Sequence, residues 1–159
     1  MKALLLIVWL FCSLLASAQD PLPPIGEWRD HLPYQRAIAV QAGADKIYAA
    51  TPYSLFSIQL NDQTIERFSR VRGLNETGIS SIAFDPSTEQ LLIAYTNSNI
   101  DILHGLDIFN IPDFKRDNII GDKTIYTIYP LNGLFYLSTG LGIVIADGSR
   151  YEIKDSWFI

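Results

Sequence analysis

Apolar runs of nearly the same form recur three times along the chain. Each run follows a turn cluster of small and polar residues and closes on a threonine, and the threonines lie 45 and then 43 residues apart (51 to 96, 96 to 139). A period in the low-to-mid forties made of short strands is typical of β-propeller blades. The runs are 46–51, 91–96 and 134–139.

Each repeat divides into four predicted strands. The second strands are almost continuously apolar, which indicates burial on both faces by neighbouring blades. No sustained 3.6-residue period follows the first 18 residues, and three blades are fewer than the roughly four to eight that close a ring. The sequence therefore predicts an all-β fold, an incomplete β-propeller of about three four-stranded blades. First strands are predicted over 36–40, 79–84 and 125–129, fourth strands over 64–69, 108–114 and 151–157, and blades over about 36–74, 78–119 and 123–159.

The first 18 residues have the form of a secretory signal peptide. Lys2 precedes an apolar run over 3–11, and small residues at 16–18 provide a cleavage site. A membrane anchor is the alternative, but the run is shorter than the roughly 20 apolar residues that span a bilayer. We expect a signal peptide over 1–18, a proline-rich lead-in over 19–26, and the first part of a longer propeller over 27–159.

The charge balance and the cysteine content narrow the class of protein. Cys12 lies within the signal peptide, so the mature chain has no thiol, and removal of Lys2 leaves 11 of the 12 basic residues against 17 acidic ones. An acidic chain argues against nucleic acid as a partner, because such binding needs a basic face. An exported chain without disulfides is typical of a bacterial envelope protein.

Stretches of the predicted blades resemble two families of propeller. The stretch 73–85, with its Gly73-Leu74 pair before a strand, is similar to blade starts in the sensor propellers of hybrid two-component regulators. The ordered series as a whole, including Asn99–Leu103 and Gly140–Val144, more closely resembles the N-terminal propeller of PorZ-type components of the type IX secretion system. This second resemblance covers essentially the whole mature chain. Its further segments are 28–34, 47–51 and 114–119.

The PorZ-type resemblance implies a non-catalytic accessory protein at the outer-membrane surface. Family members are thought to bind anionic lipopolysaccharide and to present it to the sortase, which attaches it to secreted cargo. The implied partners are the sortase and other type IX secretion components. Two alternatives remain open: a periplasmic ligand-sensing propeller of a hybrid two-component regulator, and a propeller that binds only protein.

Candidate metal and catalytic groups are sparse in the sequence. His31 and His104 are 73 residues apart, and no cysteine accompanies either in the mature chain. The stretch 97–101 has the alternate oxygen-bearing residues of a calcium loop but lacks its glycine and its distal glutamate. We therefore predict no cofactor, no metal site and no catalytic residue in this chain.

One basic cluster is a candidate ligand site. Guanidinium groups match phosphate geometry, and an anionic glycolipid is the ligand that the resemblance implies. Scattered charge on the solvated outer strands of a propeller is the competing interpretation. The residues are Arg67, Arg70, Arg72, Lys115 and Arg116.

The stretch 27–33 occupies the place, just before a first strand, that fourth strands hold in the later repeats. We expect it to supply the outer strand of the last blade. Such closure would remove open sheet edges, which otherwise promote aggregation.

Overall fold

The computed structural model describes residues 32–158. The predicted signal peptide (1–18), the lead-in (19–26) and residues 27–31 of the predicted closing strand lie outside the described residues. Within them, two short helical turns accompany the strands, a 3-10 helix over Arg70–Arg72 and helix α1 over Asp113–Arg116. The strands are β1 Ala39–Ala42, β2 Lys46–Ala50, β3 Leu55–Gln59, β4 Ile65–Phe68, β5 Ile79–Asp85, β6 Gln90–Tyr95, β7 Ile100–His104, β8 Asp107–Ile111, β9 Ile125–Leu131, β10 Leu134–Thr139, β11 Gly142–Asp147 and β12 Glu152–Phe158.

The strands form three antiparallel sheets of four, and in each sheet the spatial order follows the chain order. We call these sheets the first (β1–β4), second (β5–β8) and third (β9–β12) blades. The innermost strands lie side by side, because β1 contacts β5 and β5 contacts β9. This confirms the predicted fold class, an all-β, incomplete β-propeller of three four-stranded blades.

The register of the hairpins shifts the second blade by one residue from its predicted alignment with the other two blades. The amide of Thr51 donates to the carbonyl of Ser54 (2.8 Å), and that of Tyr95 donates to the carbonyl of Asn99 (3.1 Å). Thr139 pairs with Gly142 in the third blade. Thr51, Tyr95 and Thr139 are therefore equivalent and lie 44 residues apart (51 to 95, 95 to 139). The predicted match to Thr96 was wrong because the β6–β7 turn is one residue longer.

The corrected register separates the two sides of each blade, since a one-residue shift moves every side chain to the other face. We call the side toward the next blade the forward side and the other the backward side. Tyr48 and Ala50 lie on the forward side of the first blade and pack against the second blade. Their equivalents Leu92 and Ala94 pack in the same way against the third blade. The array is thus held by one apolar core per blade junction.

Two strand ends differ from the predictions. The strand predicted from Arg36 begins at Ala39, because Arg36 has a φ of 89° that interrupts the extended backbone. The strand predicted over 108–114 ends at Ile111, because Pro112 has no amide hydrogen for the ladder and caps α1, which begins at Asp113. Phe114, on α1, is buried in the second core.

The junction between the second and third blades also has specific contacts. The side-chain amide of Gln90 donates to the carbonyl of Gly148 (2.8 Å). Rings of Phe109 and Tyr151 stack with centroids 3.9 Å apart and planes 13° from parallel. These contacts join the second blade to the third. In the described part of the chain, no helix has the length and apolarity to cross a membrane.

Candidate functional site

Four of the five predicted site residues lie on the two linkers that join successive blades. Arg70 and Arg72 belong to the 3-10 helix, which ends at Gly73 with a left-handed φ of 108°. Lys115 and Arg116 belong to α1, in the linker to the third blade. All four side chains belong to exposed residues. We call the end of the array that carries these linkers the linker end.

Glu76 joins the two groups of basic residues. Its carboxylate forms an ion pair and a hydrogen bond with the ammonium of Lys115, across a sequence separation of 39 residues. The hydrogen bond from Lys115 lowers the pKa of Glu76, and the charge of Arg70 lowers it further. Arg70 and Lys115 therefore share one counter-charge at the linker end.

Lys123 stabilises the turn that presents Lys115, a role that no local sequence pattern indicates. Its ammonium donates to the carbonyls of Phe114 (2.5 Å) and Asp117 (2.6 Å). It also lies 5.2 Å from the centroid of the Phe114 ring. A cation at these carbonyls satisfies acceptors at the end of a helical turn. Lys123 thus holds α1 in place instead of adding a free charge.

Arg67 lies apart from the other four predicted site residues. It is on the outermost strand β4, and its guanidinium lies 5.3 Å from the centroid of the Tyr34 ring. Its partner across the sheet, Phe56, contacts the same ring. The structure therefore places Arg70 near Glu76, the partner of Lys115, and gives Arg67 a ring contact with Tyr34 on the segment before β1.

Arg72 and Arg116 are exposed at the linker end, whereas Lys115 is paired with the carboxylate of Glu76. An incoming anion that paired with Lys115 would have to displace that carboxylate. Exposed ion pairs contribute about 0–1 kcal/mol, so such an exchange has a small energetic cost.

The stretch with a calcium-like spacing has a structural role instead. Asp101 is 0% exposed, and one carboxylate oxygen accepts from the hydroxyl of Tyr95 (2.6 Å) and the amide of Asn75 (2.9 Å). The other accepts from the side-chain amides of Asn110 (2.8 Å) and Asn75 (3.0 Å). Burial, with the nearby Asp101 charge, raises the pKa of Tyr95. Across residues 32–158, no group of three or more His, Cys, Asp or Glu could hold a metal ion.

A second concave surface lies between the first and second blades, at the end opposite the linkers. It has a volume of about 210 Å³ and is lined by the rings of Tyr48 and Phe84, by Asp45 and Glu89, and by His104. The two rings stack with centroids 5.8 Å apart. Burial and then the charge of Asp45 raise the pKa of Tyr48 to about 12. No local sequence pattern indicates this cleft, because its residues come from two blades. His31 lies outside the described residues.

Three four-stranded antiparallel blades, with their innermost strands side by side, define the class of the chain as a β-propeller domain. The family described as the type IX secretion system PorZ N-terminal β-propeller domain matches residues 47–159. This chain belongs to that family.

A solved structure of PorZ, described as an essential bacterial surface component of the type IX secretion system of Porphyromonas gingivalis, resembles the chain over most of its length. Sequence identity is 27%, the TM-score is 0.78, and the match covers 83% of this chain and 18% of that one. The chain thus spans about a fifth of the length of that PorZ protein. No curated protein sequence matches the chain.

Proposed function

We propose that this chain is part of a non-catalytic accessory protein of the type IX secretion system. In this role it binds anionic lipopolysaccharide at the outer-membrane surface and presents it to the sortase. The family match over residues 47–159 is the observation that carries the proposal. The similar PorZ protein, described as an essential surface component of that system, supports the location.

The linker end is the proposed contact for the acidic groups of the lipopolysaccharide. Arg70, Arg72 and Arg116 offer planar guanidinium groups, which pair with phosphate or carboxylate through two parallel hydrogen bonds. Lys115 adds a point charge once Glu76 releases it. Arg67 was predicted as part of this site, and we propose it only as an outer contact, because its guanidinium already lies over Tyr34.

Neutralising the linker end tests this site. The quadruple variant R70S/R72S/K115S/R116S of the full-length protein should bind immobilised anionic lipopolysaccharide at least about 10-fold more weakly and with a smaller salt dependence. Lys154→Ser, on the exposed outer strand β12, is the matched control and should leave binding unchanged. Equal binding by the quadruple variant and the wild type would remove this site from the proposal.

Glu76 provides a test with the opposite sign. Glu76→Gln keeps the size of the side chain but removes the charge that neutralises Lys115. We expect a several-fold gain in affinity for anionic lipopolysaccharide at low salt, and a loss of that gain at high salt. The double variant E76Q/K115Q should lose the gain. Unchanged affinity of Glu76→Gln would mean that Lys115 does not contact the ligand.

A further inference from the structure

Hydrogen bonds bridge the second and third blades at the end opposite the linkers. The carboxylate of Asp85 accepts from the backbone amide of Gly133, and the side-chain amide of Gln90 donates to the carbonyl of Gly148 (2.8 Å). Asp85 and Gln90 lie opposite each other in the β5–β6 pair, so both reach across from the same edge of the second blade. This end of the second junction is therefore joined by polar contacts.

The first junction lacks the residues that make this bridge. In the register of the blades, Gly43 and Lys46 are the first-blade equivalents of Asp85 and Gln90. Gly43 has no side chain to reach across. The ammonium of Lys46 lies 3.6 Å from the carboxylate of Glu66, on β4 of its own blade. The aromatic cleft therefore lies where the first junction is open and the second is bridged.

Two carboxylates face this cleft from opposite walls. Asp45 belongs to the first blade and Glu89 to the second, and both line the cleft. Within residues 32–158, neither of them forms an ion pair. Lys46 also lines the cleft, but its ammonium is paired with Glu66. The two unpaired charges make the cleft complementary to a cationic ligand.

The side chain of Tyr48 is buried in the wall of the cleft with its hydroxyl unpartnered. The residue is 4% exposed, and its hydroxyl forms no hydrogen bond within residues 32–158. Buried hydroxyl groups in folded proteins normally have a hydrogen-bond partner. Burial, and then the charges of Asp45, Glu66 and Glu89, raise the pKa of Tyr48 to about 12. The hydroxyl thus lies among carboxylates and stays neutral, so its oxygen can accept a hydrogen bond from a cation.

Aromatic rings and limited size narrow the choice of cation. The rings of Tyr48 and Phe84 stack in the wall, and the ammonium of Lys46 lies 6.0 Å from the Tyr48 centroid, so this ring already has one cation near it. A guanidinium group stacks on an aromatic ring while it pairs with carboxylates, which an ammonium does less well. The cleft volume of about 210 Å³ is below the roughly 300 Å³ at which small-molecule pockets begin. A single arginine side chain suits both the chemistry and the size.

We propose that the cleft binds an arginine side chain of a partner protein. Its guanidinium donates to the carboxylates of Asp45 and Glu89 and to the hydroxyl oxygen of Tyr48, and it lies against the aromatic wall. Because the site is built from two blades, the bound side chain bridges the first junction as Asp85 and Gln90 bridge the second. The site lies at the end opposite the proposed lipopolysaccharide contact, so each can be tested without the other.

Saturation-transfer NMR on the full-length protein tests the proposal, with acetyl-arginine amide as the probe. We expect saturable binding in the millimolar range, and at least about 10-fold weaker binding of acetyl-citrulline amide, which has the same shape without the charge. The double variant D45N/E89Q, at two exposed positions, should weaken binding of the arginine probe at least about 10-fold. Tyr48→Phe, which keeps the ring, should weaken it about 3-fold. D113N/D117N removes two exposed carboxylates at the linker end and is the matched control, with unchanged binding.

Three results would overturn the proposal. Equal affinities for the arginine and citrulline probes would mean that the protein does not recognise the charge. Unchanged binding of the arginine probe by both D45N/E89Q and Tyr48→Phe would place that probe elsewhere on the protein. No saturable binding of the arginine probe would show that the cleft does not take this side chain, and binding of a neutral disaccharide in its place would assign the cleft to a sugar.

Discussion

Among single residues, the buried carboxylate of Asp101 does most to tie a linker to a blade. It accepts hydrogen bonds from Asn75 on the linker, from Tyr95 on β6 and from Asn110 on β8. A buried charge is tolerated when hydrogen bonds satisfy it, and its removal leaves the donors without an acceptor. The stretch that resembles a calcium loop in sequence thus attaches the linker from the first blade to the second blade.

Removing this carboxylate should destabilise the propeller. Asp101→Ala should lower the free energy of unfolding by about 3 kcal/mol, because the buried donors of Asn75, Tyr95 and Asn110 lose their acceptor. Asp107→Ala, at an exposed position on β8, is the control and should stay within about 0.5 kcal/mol of the wild type. Chemical denaturation of the full-length protein measures both. If Asp101→Ala lowered the free energy of unfolding no more than the control does, the proposed role of Asp101 in attaching the linker would be contradicted.

Tyr48 should make the protein sensitive to alkaline pH. Its folded-state pKa is raised to about 12 from an ordinary 10.0, so between these values the unfolded state loses the proton first. Stability from this group is complete below pH 10 and is lost as the pH rises through about 12. Tyr48→Phe should flatten the fall in melting temperature across that window. An identical alkaline fall in the variant would mean that Tyr48 does not titrate there.

At the scale of elements, tight hairpins fix the register of the strands. Gly142 begins β11 with a φ of 137°, and a Cβ there would collide with the backbone carbonyl of Trp157 on the paired strand β12. Gly105, in the β7–β8 turn, also has positive φ (64°), but a Cβ there meets nothing within 4 Å. The two glycines therefore separate the cost of a backbone clash from that of conformation alone.

Alanine substitutions at these glycines should differ in cost. Gly142→Ala should lower the free energy of unfolding by at least about 3 kcal/mol, because β12 has to shift away from β11. Gly105→Ala should cost only about 1 kcal/mol, the strain of a left-handed alanine. Denaturant titration of the full-length protein provides both values. Equal losses of unfolding free energy in the two variants would show that β12 can move away from β11 without an energetic cost.

The elements also show how far sequence reasoning reaches. The number, order and type of the strands could be predicted because apolar runs and turn residues recur with the blade. The equivalence of Tyr95, and not Thr96, to Thr51 could not be predicted, because the apolar pattern does not show the length of the β6–β7 turn. Helix α1 was missed because four residues are too few to show a helical period.

Some features of the candidate site could likewise be predicted from the sequence, and others could not. The basic residues could be recognised in the sequence by type, but their position on the linkers between blades could not. The pairing of Lys115 with Glu76 and the contact of Arg67 with Tyr34 could not, since both join residues more than 30 positions apart. The aromatic cleft between the first two blades was invisible for the same reason. Long-range contacts are set by the packing of the blades, which a local pattern does not record.

At the scale of the whole molecule, the blades belong to the PorZ N-terminal β-propeller family of the type IX secretion system. That they bind lipopolysaccharide is our proposal. At the linker end, Lys115 and Arg116 lie on helix α1, which accepts hydrogen bonds from Lys123, and Glu76 pairs with Lys115. The aromatic cleft lies at the opposite end of the same blades. The proposed lipopolysaccharide contact and the aromatic cleft therefore lie at different ends of the blades.

Cargo attachment in the native bacterium tests this account most directly. A strain producing the full-length protein with R70S/R72S/K115S/R116S should still place that protein at the cell surface, while its secreted cargo loses attached lipopolysaccharide. Immunoblots of cargo, in which attached lipopolysaccharide appears as a diffuse band of high mass, measure this beside a Lys154→Ser control strain. We predict a discrete low-mass cargo band in the quadruple variant and a diffuse band in the control. A diffuse band of undiminished intensity in the quadruple variant would contradict the proposed presentation of lipopolysaccharide by this propeller.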